Sequence, residues 1–234
     1  MHFAPYSLIS LVLLASSLAR AARPMITDDA RIVDAKACQV ESWTRFNRDS
    51  TEFWAMPACN PTGNLELTFG GARTRADGTS RFTDNIAQAK TIFRALEPEG
   101  WGIGLAVGMV RKLQRDDARG WPGDPYFYFP MSISMPGDWW TLHVNAGAIR
   151  QRDAGRTLGT WGIGNEIALR SDLYFIPEIF RNESGRPFYQ AGLRYWVVKD
   201  RAQVDATFGN RMEGGLNERW YSIGLRLLSP PFLP

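Results

Sequence analysis

Apolar and polar side chains alternate in long runs along the second half of the chain. In residues 219–228 apolar side chains occupy every second position, and Ser222, Gly224 and Arg226 lie between them. Residues 187–199 repeat the pattern. A period of two is typical of a β-strand with one apolar and one polar face. Runs of about ten residues have the length of a tilted transmembrane strand, whereas strands of soluble proteins average about 5–6 residues.

The same alternation predicts about twelve strands along the chain. They cover residues 37–47, 51–59, 64–74, 84–95, 101–113, 125–135, 139–151, 158–169, 172–181, 187–198, 202–210 and 219–228. Residues 85–96 contain good helix formers, but their alternation favours a strand. The fold class indicated is an all-β, antiparallel, up-and-down transmembrane β-barrel. A soluble β-sandwich is the alternative, and its strands would be shorter.

The connections between these strands fall into two sets. Every second connection is a tight turn with Gly, Pro or Asp, at residues 60–63, 97–100, 136–138, 170–171 and 199–201. The interleaved set includes longer segments at 75–83, 114–124 and 211–218. Short turns at one end and long loops at the other are typical of outer-membrane barrels. An even strand number places both termini at the short-turn end, which we expect to face the periplasm.

The N-terminus indicates export. Residues 1–21 have the apolar stretch and small-residue cleavage site of a secretory signal peptide. Residues 22–36 form a predicted periplasmic N-terminal segment, either a free tail or a segment tucked into the barrel mouth, and its acids Asp28 and Asp29 are expected to be solvated. Residues 37–234 form the predicted barrel. We therefore expect the protein in the bacterial outer membrane.

Composition narrows the possible functions. The net charge of +3 gives no strong field for nucleic acid. The mean hydropathy of −0.26 is compatible with a barrel, because lumen and loops dilute the lipid-facing residues. Several of the 9 Trp lie near strand ends, where membrane barrels carry interfacial aromatic residues: Trp101, Trp139, Trp140, Trp161 and Trp220. Two cysteines and two histidines are too few for a metal site, and no cofactor is expected.

The two cysteines are placed to face each other. If residues 38–59 form a hairpin, its midpoint falls in the polar turn at residues 47–50. Cys38 then lies opposite Cys59, and Trp43 opposite Trp54. Because export permits disulfides, a cross-strand disulfide is favoured over two free thiols.

The polar face carries charges of both signs, and these residues are the candidates for lining the lumen: Glu41, Arg45, Glu66, Lys90, Arg94, His143, Asn145, Glu166, Arg194, Asp205 and Arg226. Charged side chains are costly on the lipid side of a barrel, so we expect them to point inward. They would form either a hydrophilic pore or a plug of ion pairs such as Glu166 with Arg194 or Arg226. Inward glycines such as Gly162 and Gly164 leave room for a neighbouring strand, an inserted segment or a ligand, although sheet curvature is the favoured explanation.

A lipid-directed outer-membrane hydrolase is a third alternative. His143 is the only histidine left after export, Ser132 lies on the preceding predicted strand, and Glu166 lies on the following one. A nucleophile, a base and an orienting acid are arranged in this way in hydrolytic sites. Polar residues on adjacent strands are expected inside any barrel, so the set does not indicate an enzyme, and no catalytic residue is assigned.

Short motifs resemble a known family. The start of the mature chain at residues 23–30, followed by Cys38-Gln39-Val40-Glu41, resembles proteobacterial outer-membrane proteins of the meta-pathway phenol-degradation (outer-membrane transport) family. Residues 63–67, 174–178 and 221–225 fit the same pattern. The resemblance implies a β-barrel that passes small, often hydrophobic or aromatic, compounds. The chain departs from many such barrels by ending on Pro234 rather than on an aromatic residue.

These observations give a functional expectation with one main alternative. We expect a channel or transporter for small solutes, and the alternative is a non-conducting structural or surface-binding barrel. The expected partners are outer-membrane lipids and lipopolysaccharide, the barrel-assembly machinery and small solutes, and no nucleic acid.

Overall fold

The computed structural model describes residues 25–113, 123–182 and 184–234, so the predicted signal peptide lies outside the described residues. These residues form one sheet of thirteen strands, with 3-10 turns at Pro136–Asp138 and Leu216–Glu218. The strands are β1 (Cys38–Phe46), β2 (Thr51–Cys59), β3 (Glu66–Ala76), β4 (Thr79–Arg94), β5 (Trp101–Lys112), β6 (Asp124–Ser134), β7 (Trp140–Gln151), β8 (Arg156–Ala168), β9 (Leu173–Phe175), β10 (Glu178–Arg181), β11 (Pro187–Val198), β12 (Ala202–Arg211) and β13 (Trp220–Leu228). In this part of the chain, no helix is long and apolar enough to cross a membrane.

The sheet closes on itself into an antiparallel barrel. Strand β13 pairs with β1, so the last strand closes the barrel against the first. Strands β9 and β10 both pair with β8 on one side and β11 on the other, so they occupy one position between them. The barrel therefore has twelve strand positions, and the predicted fold class is confirmed. The predicted strand at 172–181 is interrupted before Pro177, which has no backbone N–H for the ladder.

The predicted alternation sets the two faces of the wall. On β13, Ile223 is 61% exposed on the outside, whereas Arg226 is fully buried on the inside. The other outward side chains of this strand, Tyr221, Leu225 and Leu227, are also exposed. Because successive side chains of a strand point to opposite faces, this local pattern is sufficient to sort apolar residues outward and charged residues inward.

One predicted long loop does not exist. The connection expected at residues 75–83 is a hairpin turn at Asp77 and Gly78, whose φ angles are 49° and 72°. Positive φ at both central residues allows the type of turn that matches strand twist, and Asp-Gly is a favoured sequence for it. Strand β4 consequently begins at Thr79, and the segment with helix-forming residues is a strand, as predicted.

The two ends of the barrel differ less in loop length than the sequence predicted. We call the end where β1 begins and β13 ends the terminal rim, and the opposite end the distal rim. Distal connections such as residues 47–50 and 152–155 are as short as those at the terminal rim. The predicted loop at 114–124 lies almost wholly outside the described residues. Among the connections described in full, only residues 212–219 at the distal rim are longer than those at the terminal rim, so loop length gives little information on orientation.

The predicted disulfide is present between Cys38 and Cys59. The two residues are direct partners in the pairing of β1 with β2, and Trp43 pairs with Trp54 in the same register. The bond joins the first two strands close to the terminal rim, where a hairpin would otherwise begin to separate.

Candidate functional site: the barrel lumen

Residues 25–36, which we call the inner segment, precede β1: residues 25–33 lie inside the barrel, and residues 34–36 are exposed where the segment leaves it. Met25, Thr27, Asp29, Ala30 and Val33 are all buried. The segment has no regular secondary structure, so its backbone groups must find partners other than a strand ladder. Lumen side chains provide them at three places.

The first place is Glu178 on β10. Its two carboxylate oxygens accept hydrogen bonds from the backbone N–H of Ile26, at 2.7 Å, and of Thr27, at 2.8 Å. The side chain of Gln190 donates a further hydrogen bond to Glu178, at 2.6 Å. The glycines of β8 make room here, because a Cβ on Gly162 would overlap the side chain of Thr27. These glycines therefore admit an inserted segment, in addition to any effect on sheet curvature.

The second place is a set of polar side chains around Asp28. Its carboxylate accepts hydrogen bonds from Lys90 Nζ, at 2.8 Å, and from the Tyr128 hydroxyl, at 2.8 Å. The side-chain amide of Asn145 accepts from the Asp28 N–H and donates to the Asp28 carbonyl, each at 2.7 Å. Asp29 is fully buried, with Lys90 Nζ 3.6 Å from its carboxylate. The expectation that these two acids are solvated was wrong.

The third place lies towards the terminal rim. The Ala30 N–H donates to Ser132 Oγ at 2.8 Å, and the Val33 N–H donates to Glu66 at 2.9 Å. The side chain of Asn60 donates to the Val33 carbonyl at 2.8 Å. The inner segment thus runs across the lumen from the β10 wall to the β3 wall and leaves at the terminal rim, next to the start of β1.

A network of buried charges lies beside the inner segment. Glu166 and Arg194 form a direct ion pair, and Arg31 of the inner segment lies 3.9 Å from Glu166. Arg226 donates to the side chain of Gln39 at 2.6 and 2.9 Å and lies 3.5 Å from Glu41. Breaking such a buried pair by removing one partner costs about 3–5 kcal/mol, so these ions hold their positions firmly.

The structure brings Ser132, His143 and Glu166 together on β6, β7 and β8. Ser132 Oγ lies 2.8 Å from His143 Nδ1, and His143 Nε2 lies 3.6 Å from Glu166. All three side chains are buried, and Ser132 Oγ also accepts the Ala30 N–H. A nucleophile must contact its substrate, and this hydroxyl is covered by the protein's own chain. The set therefore fills the lumen and offers no hydrolytic site.

Most of the predicted lumen residues lie on the inner face. The buried ones are Glu66, Lys90, His143, Asn145, Glu166, Arg194, Asp205 and Arg226. Glu41 and Arg45 are half-buried at inward positions. Arg94 does not line the lumen: it is exposed opposite the outward Ile103, with its guanidinium 4.2 Å from the Trp101 ring centre. A register shift between Ile92 and Arg94 reverses the alternation, and sequence periodicity does not reveal such a shift.

An arc of aromatic side chains lines the distal half of the lumen, and the sequence indicated only the pairing of Trp43 with Trp54 within it. Trp43 and Trp54 stack with ring centres 5.2 Å apart. Arg45 lies over the Trp220 ring at 4.1 Å, and the arc continues from Trp220 through Phe188 to Phe180. Trp220, predicted as an interfacial residue, is almost fully buried and rests against Gly209. The inward position of Trp220, two residues before Ser222, was the signal available in the alternation. We call Trp43, Trp54, Phe180, Phe188 and Trp220 the aromatic arc.

Among the described residues, no group of three or more His, Cys, Asp or Glu side chains is arranged to hold a metal ion. The lumen chemistry consists instead of ion pairs, hydrogen bonds to the inner segment and aromatic faces.

Solved structures with this architecture are bacterial outer-membrane barrels. The chain is similar to the KdgM porin, with a TM-score of 0.62 and 9% identity over 81% of this chain and 98% of that chain. It is similar to the NanC porin, with a TM-score of 0.57 and 10% identity over 81% and 98%. It is also similar to the Salmonella typhi outer membrane phospholipase, with a TM-score of 0.51 and 12% identity over 92% and 96%. At such identities the likeness shows the fold, and a fold does not specify a function.

No curated protein sequence matches the chain. The resemblance to the meta-pathway phenol-degradation family is not confirmed, because the family that matches has a different description. Over residues 9–228 the sequence matches the family described as uncharacterised conserved protein UCP029691, and the chain belongs to this family.

Proposed function

We propose that the protein is a bacterial outer-membrane channel for small solutes, narrowed by its own inner segment. The observation that carries the proposal is the closed barrel with an apolar outer face and a charged, hydrogen-bonding lumen. Such a lumen resembles that of a water-filled barrel, in which inward residues are polar. The similarity to two porins supports the same channel function. In this proposal the terminal rim faces the periplasm, and the barrel-assembly machinery inserts the chain.

The inner segment sets the size of what passes. It crosses the lumen between Glu178 and Glu66. A solute therefore passes either beside the segment or after the segment has moved away. Solutes are therefore small, or they pass when the contacts with Glu178 are broken. A charged lumen without this segment would admit larger hydrophilic molecules.

The aromatic arc suggests which solutes are favoured. Trp43, Trp54 and Phe188 are half-buried, so part of each ring faces the lumen. Aromatic side chains contact planar apolar rings through offset stacking. We propose that planar aromatic compounds bind here before passing the inner segment.

Tryptophan fluorescence tests this binding. Such a compound should quench the fluorescence saturably, and Trp54→Leu should weaken the quenching. Trp139→Leu, on an exposed turn, should leave it unchanged. Equal quenching in both variants would remove the arc from the proposal.

Planar-bilayer recording tests the channel itself. The refolded wild-type protein should show small conductance steps, and Glu178→Gln should open more often because it loosens the inner segment. Glu52→Gln is the matched control: it removes an inward carboxylate whose hydrogen bonds, from Asn47 and Trp54, lie at the β1–β2 hairpin and not at the inner segment. Heat-modifiable mobility confirms that each barrel is folded.

A second candidate function is a non-conducting structural or surface-binding barrel. The firm attachment of the inner segment at three places favours it, because a permanently held segment closes the lumen. If neither the wild type nor Glu178→Gln conducts ions or passes small solutes into liposomes, this second function replaces the channel.

A further inference from the structure

The acids and the arginines of the wall are distributed differently between its two faces. Within the described strands, every Asp and Glu points into the lumen, as the burial of Glu66, Asp124, Glu166, Glu178 and Asp205 illustrates. The remaining strand acids, Glu41, Glu52 and Asp84, occupy inward positions as well. The outer face therefore carries no strand carboxylate in this part of the chain.

Arginines, by contrast, also occupy the outer face, almost all of them near the distal rim. Outward positions close to that rim hold Arg73 and Arg75 on β3, Arg111 on β5, Arg150 on β7 and Arg181 on β10. Near the terminal rim, Arg94 is the single outward charge among the described strand residues. The outer wall is thus cationic at one end, the distal rim.

The densest part of this band lies on β3 and its neighbours. Arg73 sits between Phe53 of β2 and Phe82 of β4 in the strand register, and Arg75 sits between Thr51 and Ser80. The two phenylalanines are 48% and 67% exposed, and the Arg73 guanidinium lies 5.8 Å from the Phe82 ring centre. Apolar rings flanking a guanidinium are suited to a membrane interface, with the rings among acyl chains and the charged group at the headgroups. Arg111 follows on β5, one strand further round the wall.

We infer that Arg73, Arg75 and Arg111 bind the phosphate groups of an anionic glycolipid, the lipopolysaccharide of the outer leaflet. A guanidinium presents a planar fork of donors that matches the oxygens of a phosphate. Among the described residues, no outward strand acid sits beside these arginines to repel such a headgroup. The inference rests on the proposed outer-membrane location, which supplies the ligand. It also orients the barrel, because the distal rim must then lie in the outer leaflet.

Lipopolysaccharide binding by the full-length protein in detergent at physiological salt tests this inference. The triple variant R73Q/R75Q/R111Q is compared with R94Q, which removes the outward arginine of the terminal rim. Each distal arginine near an anionic surface should contribute about a fivefold gain in affinity, and all three about a hundredfold. R94Q should bind as tightly as the wild type. Enzymatically dephosphorylated lipopolysaccharide should bind the wild type as weakly as intact lipopolysaccharide binds the triple variant.

Other results would overturn the inference. Equal lipopolysaccharide affinity of the triple variant and the wild type would show that the arginines do not bind the lipid. Equal affinity of the wild type for intact and dephosphorylated lipopolysaccharide would show that the phosphates are not recognised. A loss in R94Q matching that of a single distal variant, such as R73Q, would show unspecific charge attraction. The single distal variants also serve if the triple variant lacks heat-modifiable mobility. Conductance recorded on the same samples separates the two proposals. Lipid binding without conductance would refute the channel function and would still support the lipopolysaccharide site.

Discussion

Replacing Glu178 with glutamine tests how the inner segment is held in the lumen. In the wild type, one carboxylate accepts two backbone hydrogen bonds, from Ile26 and Thr27, at 2.7 and 2.8 Å. Glutamine keeps a single acceptor oxygen, and its amide group turns a donor towards the second N–H. The barrel wall itself is unchanged, because the backbone pairing of β10 with β8 and β11 does not involve this side chain.

The size of the effect follows from the hydrogen bonds that are lost. A hydrogen bond to a charged acceptor contributes about 1.5–3 kcal/mol, and the remaining one becomes neutral and weaker. We therefore expect Glu178→Gln to weaken attachment of this end of the segment by about 2–3 kcal/mol. That difference raises the population of the detached state by about 30- to 150-fold.

Two measurements read this change independently. Hydrogen exchange followed by mass spectrometry should show faster exchange of the Ile26 and Thr27 amides, and bilayer recording should show a matching rise in open probability. Glu52→Gln should change neither. If amide exchange in Glu178→Gln stays at the wild-type rate, the carboxylate does not hold the segment and the reasoning fails. If exchange rises without conductance, the segment is held as described but does not close a channel.

Two further changes test the packing of the segment and the stability of the wall. Gly162→Ala places a methyl group against Thr27 and should destabilise the inner segment by about 1–3 kcal/mol, seen as faster exchange of the same amides, whereas Gly159→Ala on the same strand meets no atom within 4 Å and should have no effect; equal exchange in both would refute the close fit. Replacing both Cys38 and Cys59 with serine opens a crosslink of 21 residues and should lower the free energy of unfolding by about 3 kcal/mol, measured by urea titration of heat-modifiable mobility, and an unchanged midpoint would show that the register alone secures β1 and β2.

The limits of the sequence prediction are visible at particular residues. Arg94 was predicted in the lumen, but a single register shift in β4 turned it outward, because alternation continues correctly only where pairing is regular. The turn at Asp77 and Gly78 was available in the sequence as a hairpin signal and was assigned to a loop instead. Trp220 looked interfacial by its place near a strand end, whereas its register makes it inward.

Part of the candidate site was predictable from the sequence, and part was not. The sequence indicated that Glu66, Lys90, Asn145 and Glu166 share the inner face, since each occupies a polar position in an alternating strand. The sequence did not indicate which residues these side chains contact. Asp28 and Asn145 are 117 residues apart, and Thr27 and Glu178 are 151 apart, and no local period relates them.

The sequence by itself determined the elements of this protein: the strands, their two faces and the Cys38–Cys59 pairing, because each depends on side-chain period and on neighbouring strands. The tertiary structure alone decided what occupies the lumen. Closing the barrel brings Glu178, Lys90 and Glu66 around a common space, and a segment without regular structure satisfies its backbone there. The physical reason is that an irregular segment takes its hydrogen-bond partners from whatever the closed wall presents, and that set exists only once the barrel has formed.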